Sequence, residues 1–440
     1  MNAARSAFKS PTWRNLSGTE RGRLLARLAD LVEQQSHILA TIETLDNGKP
    51  LSVTRDVDVP HFVEVLRYYG GYADKFFGQT IDLGRGKMAY TVKEPVGVCG
   101  QIIPWNYPLD MAAWKLGPAL ACGNTVILKL AEQTPLSMLF VAKLVGQAGF
   151  PPGVVNIING HGKEAGVALV DNPKVHKIAF TGSTATGMEI MKVAARTMKN
   201  ITLETGGKSP FIVFEDANIQ QAVKWAHFGI MSNSGQICTA NSRILVHESI
   251  CTAFVEKFKK KVEKTSILGD PFDEKTFQGP QVSKEQHKRV LSFIETGLED
   301  GAQLIMGGKP AAGVTANGKG YFIEPTVFGG VVSDMKICRE EIFGPCAVII
   351  PFKTEAEAVT IANDSKYGLG AMVFTRDLVR AHRVARDVES GMVWINSSND
   401  SDVRVPFGGV KQSGIGRELG EAGLEPYFNV KAVHINLTED

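Results

Sequence analysis

The stretch TVILKLAEQTPLSMLFVAKLVGQAGFPPGVVNII, residues 125–158, decides the fold. It opens on a short, mostly apolar run, 125–129, too brief for a helix and suited to a buried strand. Thr134 and Pro135 then open a helix to Ala148, with Thr134 as N-cap and Pro135 in the first turn. Gly149-Phe-Pro-Pro-Gly153 turns the chain into a second strand, 154–158. The alternation continues through a short helix, a strand at 175–180, a Gly-bounded turn and a helix from about Thr186. A strand at 211–214 and a helix capped by Asp216 complete the run. Strands alternating with helices predict βαβ units and a parallel, doubly wound sheet. Such sheets bind ligands beyond the carboxyl ends of their strands.

Upstream, residues 19–46 read as one long amphipathic helix. Leu24, Leu25, Leu28, Leu31, Val32, Ile38, Leu39 and Ile42 fall near helical spacing. Asn47-Gly48-Lys49-Pro50 stops it, and a second helical pattern runs over 58–76. Residues 78–94 fit neither helix nor sheet and predict a hairpin projecting from the body. Downstream, strands are expected at 243–246, 346–351, 370–374 and 391–395. Helices at 249–264, 283–300, 354–364 and 377–388 lie between or before them, which makes a second α/β domain.

The whole chain has 440 residues, enough for two or three domains. Apolar residues make up 44% and charged residues 21%, which excludes a disordered scaffold. Lys plus Arg number 48 against 46 Asp plus Glu, so no basic footprint for nucleic acid or an anionic membrane exists. The apolar stretch 116–128 is interrupted by Gly117, Pro118, Gly123 and Asn124, and no spanning helix is expected. The first 15 residues lack the apolar core of a signal peptide. Six cysteines (99, 122, 238, 251, 338 and 346) have neither CxxC partners nor His companions. A disulfide framework and a metal site are not expected, and a reducing, cytoplasmic compartment is.

Four clusters could carry chemistry. Ser234-Gly235-Gln236-Ile237-Cys238-Thr239 surrounds a thiol with small residues that leave it accessible. Thr202-Leu203-Glu204-Thr205-Gly206-Gly207-Lys208 sets a carboxylate before two glycines, as a general base requires. Ile103-Pro104-Trp105-Asn106-Tyr107-Pro108 stiffens the backbone around Asn106, a candidate oxyanion donor. Phe180-Thr181-Gly182-Ser183-Thr184-Ala185-Thr186-Gly187 follows a strand and opens a helix, where a pyrophosphate could sit. It is neither GxGxxG nor a P-loop.

Together these motifs resemble the aldehyde dehydrogenase superfamily over essentially the whole chain. The segments are EPVGVCGQIIPWNYP (94–108), KLAEQTP (129–135), FTGSTATG (180–187), LETGGKSP (203–210), SGQICTA (234–240), EEIFGP (340–345) and PFGGVKQSGIGRELG (406–420). Glu204 precedes Cys238 by 34 residues, the spacing that hydrolytic members show.

The resemblance implies an α/β aldehyde dehydrogenase fold. It would have an NAD-binding domain at 1–77 and 95–206 and a catalytic domain at 207–426. Oligomerisation elements would lie at 78–94 and 427–440. It implies oxidation of an aldehyde to the acid, with Cys238 as nucleophile. Asn106 and the Cys238 backbone N–H would hold the oxyanion, and Glu204 would activate the hydrolytic water. Lys129 and Glu132 match positions on the adenine ribose, where a carboxylate favours NAD over NADP. Gly182, Ser183 and Gly187 match the pyrophosphate turn, and Glu341 and Phe343 the nicotinamide end, with Trp105 in the same cleft.

Tyr107, Trp114 and Phe407 match positions that line the aldehyde tunnel. Ser232 stands six residues before Cys238, where trimethylammonium-binding relatives carry Trp. The polar loop Ser397-Ser398-Asn399-Asp400-Ser401-Asp402 points to an amino or betaine aldehyde. Leu130 stands where most relatives have Pro. The chain begins almost at the AARSAF segment, which relatives carry several dozen residues in. Partners implied are the small-molecule substrate and a second copy of the chain, as homodimer or homotetramer. Two other readings are a CoA-acylating relative, which usually lacks the Glu204 base, and a crystallin-like structural protein on the same fold.

Overall fold

Two parallel sheets carry the molecule, in a computed structural model that describes residues 1–315 and 318–438. In the first sheet the strands lie in the order Gly414–Ile415, Asn200–Glu204, Lys177–Thr181, Val98–Ile102, Thr125–Lys129 and Val155–Ile158. All neighbours are parallel except Gly414–Ile415, which runs antiparallel to Asn200–Glu204. Every residue of Val98–Ile102, Thr125–Lys129 and Lys177–Thr181 is buried, because helices cover both faces. The second sheet has the order Gln303–Met306, Thr326–Gly329, Cys346–Phe352, Arg243–His247, Pro210–Val213, Gly370–Phe374 and Met392–Ile395. Its first pair is antiparallel and the rest are parallel. The expected doubly wound architecture is therefore present twice.

A third, antiparallel sheet joins Thr80–Asp82, Lys87–Pro95 and Phe428–Asn436. The projecting segment is thus a hairpin, and the C-terminal run pairs with it along nine residues, from Phe428 opposite Pro95 to Asn436 opposite Lys87. The strand finds this partner within its own chain. Residues 439–440 of the expected C-terminal element, and residues 316–317 of the expected catalytic domain, lie outside the described residues.

Three local expectations are corrected. The single helix at 19–46 is two, Gly18–Gln34 and Ser36–Asn47, separated at Gln35. The polar run Gln34-Gln35-Ser36 offers nothing to bury, so the chain changes direction there. A capping box between Ser17 and Glu20 begins the first of the pair.

Thr134 does not cap the next helix, Leu136–Ala148, and its hydroxyl is buried without a partner. The Leu136 N–H donates instead to Asp46 Oδ2 at 2.7 Å, so the cap comes from the end of Ser36–Asn47. Asp216 is likewise no cap. Asn218 Oδ1 accepts from Gln220 and Gln221 to start Ile219–Met231. Asp216 instead accepts from the Thr375 hydroxyl and the N–H groups of Arg376 and Asp377, tying two loops of the second sheet together.

Candidate active site

A cleft of about 560 Å³ opens where the first sheet's strands end, between the two sheets. Trp105, Asn106, Tyr107, Gly182, Ser183, Cys238, Glu341 and Phe343 all line it. Residues 133 positions apart in the chain, Trp105 and Cys238, thereby share one wall.

Cys238 reaches the cleft through a strained turn. After Ile219–Met231 the chain enters a single turn, Ser232–Gly235, with φ of 46° at Asn233, 55° at Ser234 and 72° at Gly235. Asn and Ser tolerate the left-handed region poorly but better than branched residues do. Gly235 is required there, since a Cβ would lie 2.0 Å from Gly344 O. The turn ends with Cys238 half-buried. Burial first, then Glu341 and Glu204, push its thiol up to about 12, against the backbone N–H groups of Thr239 and Cys238 itself. The resting group is a protonated thiol.

Asn106 is held by the same turn. Its Nδ2 donates to Gln236 O at 3.0 Å, and Asn233 Nδ2 donates to Asn106 O at 3.1 Å. The amide is therefore fixed beside the thiol before any substrate arrives, as an oxyanion donor must be.

Glu204 ends strand Asn200–Glu204 and sits behind the cleft rather than on its surface. Both carboxylate oxygens are buried without a hydrogen-bond partner. Burial first, then Glu418, hold the group well above the usual carboxylate range, opposed by Lys115 and Arg417. Behind it lies a pair the sequence reading missed. Lys115 Nζ contacts Glu418 Oε1 and Thr181 Oγ1, each at 2.6 Å. One signal was available: Lys115 interrupts a helix, Pro108–Ala121, that is buried at every position. A lysine there needs a buried partner.

The cofactor positions gather at the carboxyl ends of the first sheet. Ser183 caps helix Thr184–Ala195, its hydroxyl accepting from Thr186 N at 3.2 Å, with Gly182 before it and Gly187 in the first turn. Thr184 lines this cleft at the first turn of that helix. A helix N-terminus facing a cleft fits a phosphate-bearing ligand. Lys129 Nζ and Glu132 Oε2 lie 3.1 Å apart at the end of strand Thr125–Lys129, two strands from Lys177–Thr181. Partial burial pushes the Glu132 carboxyl up. Its own backbone N–H and Lys129 outweigh that push and hold it below its ordinary value. Leu130 donates its N–H to Ile158 O at 3.0 Å, a bond that proline at this position could not make.

Glu341 Oε1 accepts from Gly207 N at 2.9 Å, and burial raises its carboxyl to about 7. The Phe343 ring meets Trp105 edge-on, with centroids 5.4 Å apart.

Tyr107, Trp114 and Phe407 share one apolar cluster with Cys238. Trp114 and Phe407 meet at 4.8 Å and 63°, and the Lys49 ammonium lies 3.5 Å from the centre of the Tyr107 ring. The polar loop reaches this region. The Thr239 hydroxyl, next to Cys238, donates to Asn399 Oδ1 at 2.5 Å. Both Asp402 oxygens are taken by Arg404, and Trp394 Nε1 donates to Asp400 O.

One cleft thus carries a cysteine, an amide and the N-terminus of a capped helix. The aldehyde dehydrogenase family model matches residues 1–433. An aldehyde dehydrogenase-like protein of Schizosaccharomyces pombe is 53% identical, over 99% of this chain and 87% of its own. The human mitochondrial aldehyde dehydrogenase is 51% identical, over 100% of this chain and 84% of its own. An NAD+ complex of the aldehyde dehydrogenase from Bacillus cereus aligns with a TM-score of 0.97 at 48% identity, over 99% of this chain and 88% of that one. The chain belongs to the aldehyde dehydrogenase family. Among the described residues no helix is long and apolar enough to cross a membrane. One of these relatives is mitochondrial, so a cytoplasmic location does not follow from family membership.

Proposed function

We propose that the chain oxidises an aldehyde to the carboxylic acid with NAD+, through a thioester on Cys238 that water then hydrolyses. The observation that carries this reading is the placement of Cys238 and Asn106 on one cleft wall. The Cys238 thiol gives its proton to solvent water and Sγ bonds the carbonyl carbon, whose oxygen becomes an alkoxide. The Asn106 Nδ2–H and the Cys238 N–H donate to that oxygen. Loss of hydride from the carbon restores the carbonyl and leaves the thioester. Lys129, Glu132, Gly182, Ser183, Gly187, Glu341, Phe343 and Trp105 would hold NAD+, which when bound would supply the hydride acceptor. Glu204 takes a proton from water, the hydroxide bonds the acyl carbon, and the C–S bond breaks to release the acid.

Covalent attachment splits one difficult oxidation into two easier steps. Glu204's raised affinity for a proton suits a base that must hold one after activating water. The buried Lys115–Glu418 pair beside it supports the same role, since it can share the charge as Glu204 changes state.

Residues 1–77 and 95–206 form the NAD-binding unit in this reading, and 207–426 the catalytic unit, with Gly414–Ile415 crossing back onto the first sheet. The chain acts as a homo-oligomer. Strand Phe428–Asn436 is an edge strand of nine residues, and Val430 is 68% exposed on it. Such an edge favours pairing with a second copy. An amino or betaine aldehyde draws its support from the acidic loop 397–402. Arg404 neutralises Asp402 there, leaving only Asp400 as an uncommitted carboxylate. The test is a screen for NADH formation over aliphatic, aromatic, amino and betaine aldehydes. Product analysis with and without coenzyme A goes with it. The free acid in both cases supports hydrolysis, and a CoA thioester as product overturns it.

A further inference from the structure

The helix stop Asn47-Gly48-Lys49-Pro50 does more than end Ser36–Asn47. Asn47 is buried, and its Nδ2 donates to Trp105 O at 2.5 Å. That carbonyl belongs to the peptide group joining Trp105 to Asn106. The next peptide group, joining Asn106 to Tyr107, is held by another amide: Asn233 Nδ2 donates to Asn106 O at 3.1 Å. Peptide groups are planar, and only φ and ψ between them are soft. Two side-chain amides from remote parts of the chain therefore fix the two planes that meet at the Asn106 Cα. One hydrogen of the Asn106 Nδ2 goes to Gln236 O at 3.0 Å, and a primary amide has a second. The second N–H is the one available to a substrate oxygen, and its aim depends on the backbone beneath it.

Neighbouring contacts hold Asn47 in place. The residue after it, Gly48, takes a φ of 87° and packs on Gly279, where a Cβ would lie 2.0 Å from Gly48 O. Gly279 O accepts from the Ser234 hydroxyl at 2.7 Å, in the turn that leads to Cys238. Lys49 Nζ lies 3.5 Å from the centre of the Tyr107 ring and 2.6 Å from Asp58 Oδ2, with both charged groups buried. One helix end thus meets both segments of the cleft wall, Trp105 and Tyr107 directly and the Cys238 turn through Gly279. Among the described residues the Asn47 side chain makes no other hydrogen bond, and its Oδ1 is buried without a partner. A stranded buried oxygen costs stability, and the one bond this amide makes is to the carbonyl beside Asn106.

We infer that Asn47 is a positioning residue for the oxyanion: by holding the Trp105 carbonyl it aims the free Asn106 N–H at the place where the aldehyde oxygen gains charge. This rests on the proposed role of Asn106. A donor preorganised toward a developing charge acts without reorganising at the moment of reaction. Misplacing such a group by about 1 Å can cost about a hundredfold in rate.

The test is a double-mutant comparison on the full chain. Stopped-flow absorbance follows the first turnover of NADH from hexanal, with NAD+ affinity by calorimetry and the melting temperature measured alongside. Asn47→Leu lowers the first-turnover rate at saturating hexanal about tenfold, less than the loss of a donor outright. It leaves the KM for hexanal and the NAD+ affinity within about twofold. With Asn106→Ala already in place, the same change alters the rate by no more than about twofold, since no amide is left to aim. Asn47→Ala carries the same comparison if the Leu chain does not fold. A parent-like rate in the single variant, an equal fall in both backgrounds, or a fall confined to KM or NAD+ affinity overturns the inference. Failure of both variants to fold shows a purely structural amide and overturns it too. Those outcomes leave the oxidation itself standing. If Asn106→Ala alone forms NADH at the parent's rate, the oxyanion role of Asn106 fails, and this inference with it.

Discussion

Lys115 Nζ lies 2.6 Å from Glu418 Oε1, a residue 303 positions further on, and neither side chain is more than 5% exposed. The bond joins helix Pro108–Ala121, on the first sheet, to the segment that returns from the catalytic half. It also sets the electrostatics of Glu204, since Glu418 raises and Lys115 lowers that carboxyl. Breaking such a pair strands a buried charge and costs about 3–5 kcal/mol. Lys115→Met should lower the melting temperature sharply, and Lys115→Met with Glu418→Leu should recover much of the loss. Thermal unfolding of the two variants checks this. A single variant as stable as the parent would show that the pair contributes nothing.

Cys238 should react slowly with an alkylating agent in the free protein. Its thiol is pushed up to about 12, so only a trace is thiolate at neutral pH. Raising the pH through the region below that value should raise the labelling rate about tenfold per unit. Mass spectrometry with iodoacetamide, with Cys238→Ala as the blank, reads the slope. The Ala variant should also lose aldehyde oxidation while still binding NAD+. Retained turnover would remove Cys238 from its role.

Glu204→Gln should leave acylation intact and stall hydrolysis. Stopped-flow absorbance should show a burst of NADH followed by slow turnover. Because the Glu204 carboxyl is raised, the parent's deacylation should quicken as pH rises and the group ionises. The Gln variant should lose that pH dependence. A parent-like steady state in the variant would rule out Glu204 as the base.

Glu132→Gln should shift cofactor choice toward NADP. The ionised carboxylate, fixed by Lys129, repels a 2′-phosphate, and the amide does not. The ratio of kcat/KM for NAD to that for NADP should fall by about tenfold or more, as for loss of roughly 1.4 kcal/mol. An unchanged ratio would separate Glu132 from the choice.

Much of this was legible in the sequence, for a physical reason. Strands such as Thr125–Lys129 and Gly370–Phe374 are buried on both faces and so read as continuous apolar runs. Cys238, Asn106 and Glu204 were weak as separate motifs and became candidates only together, through their resemblance to one family. What escaped was long-range. The cap of Leu136–Ala148 comes from Asp46, and no rule about the residue just before a helix can find it. Glu418 looked like one charge in a Gly-rich segment until Lys115 met it.

The C-terminal strand completes the argument about assembly. Phe428–Asn436 covers one edge of Lys87–Pro95 and leaves its own outer edge open. Val430, Ile435 and Leu437 are exposed on or just beyond it, at 68%, 37% and 57%. A long, apolar, unpaired edge is an aggregation hazard unless a partner covers it. Truncation after Asn429 spares Tyr427, whose carbonyl accepts from Asn124 and Val96, and removes most of the strand. The truncated chain should scatter light as a smaller species than the parent and melt several degrees lower, with activity falling as a consequence. A truncated chain with the parent's mass and melting temperature would show that this strand joins no second subunit.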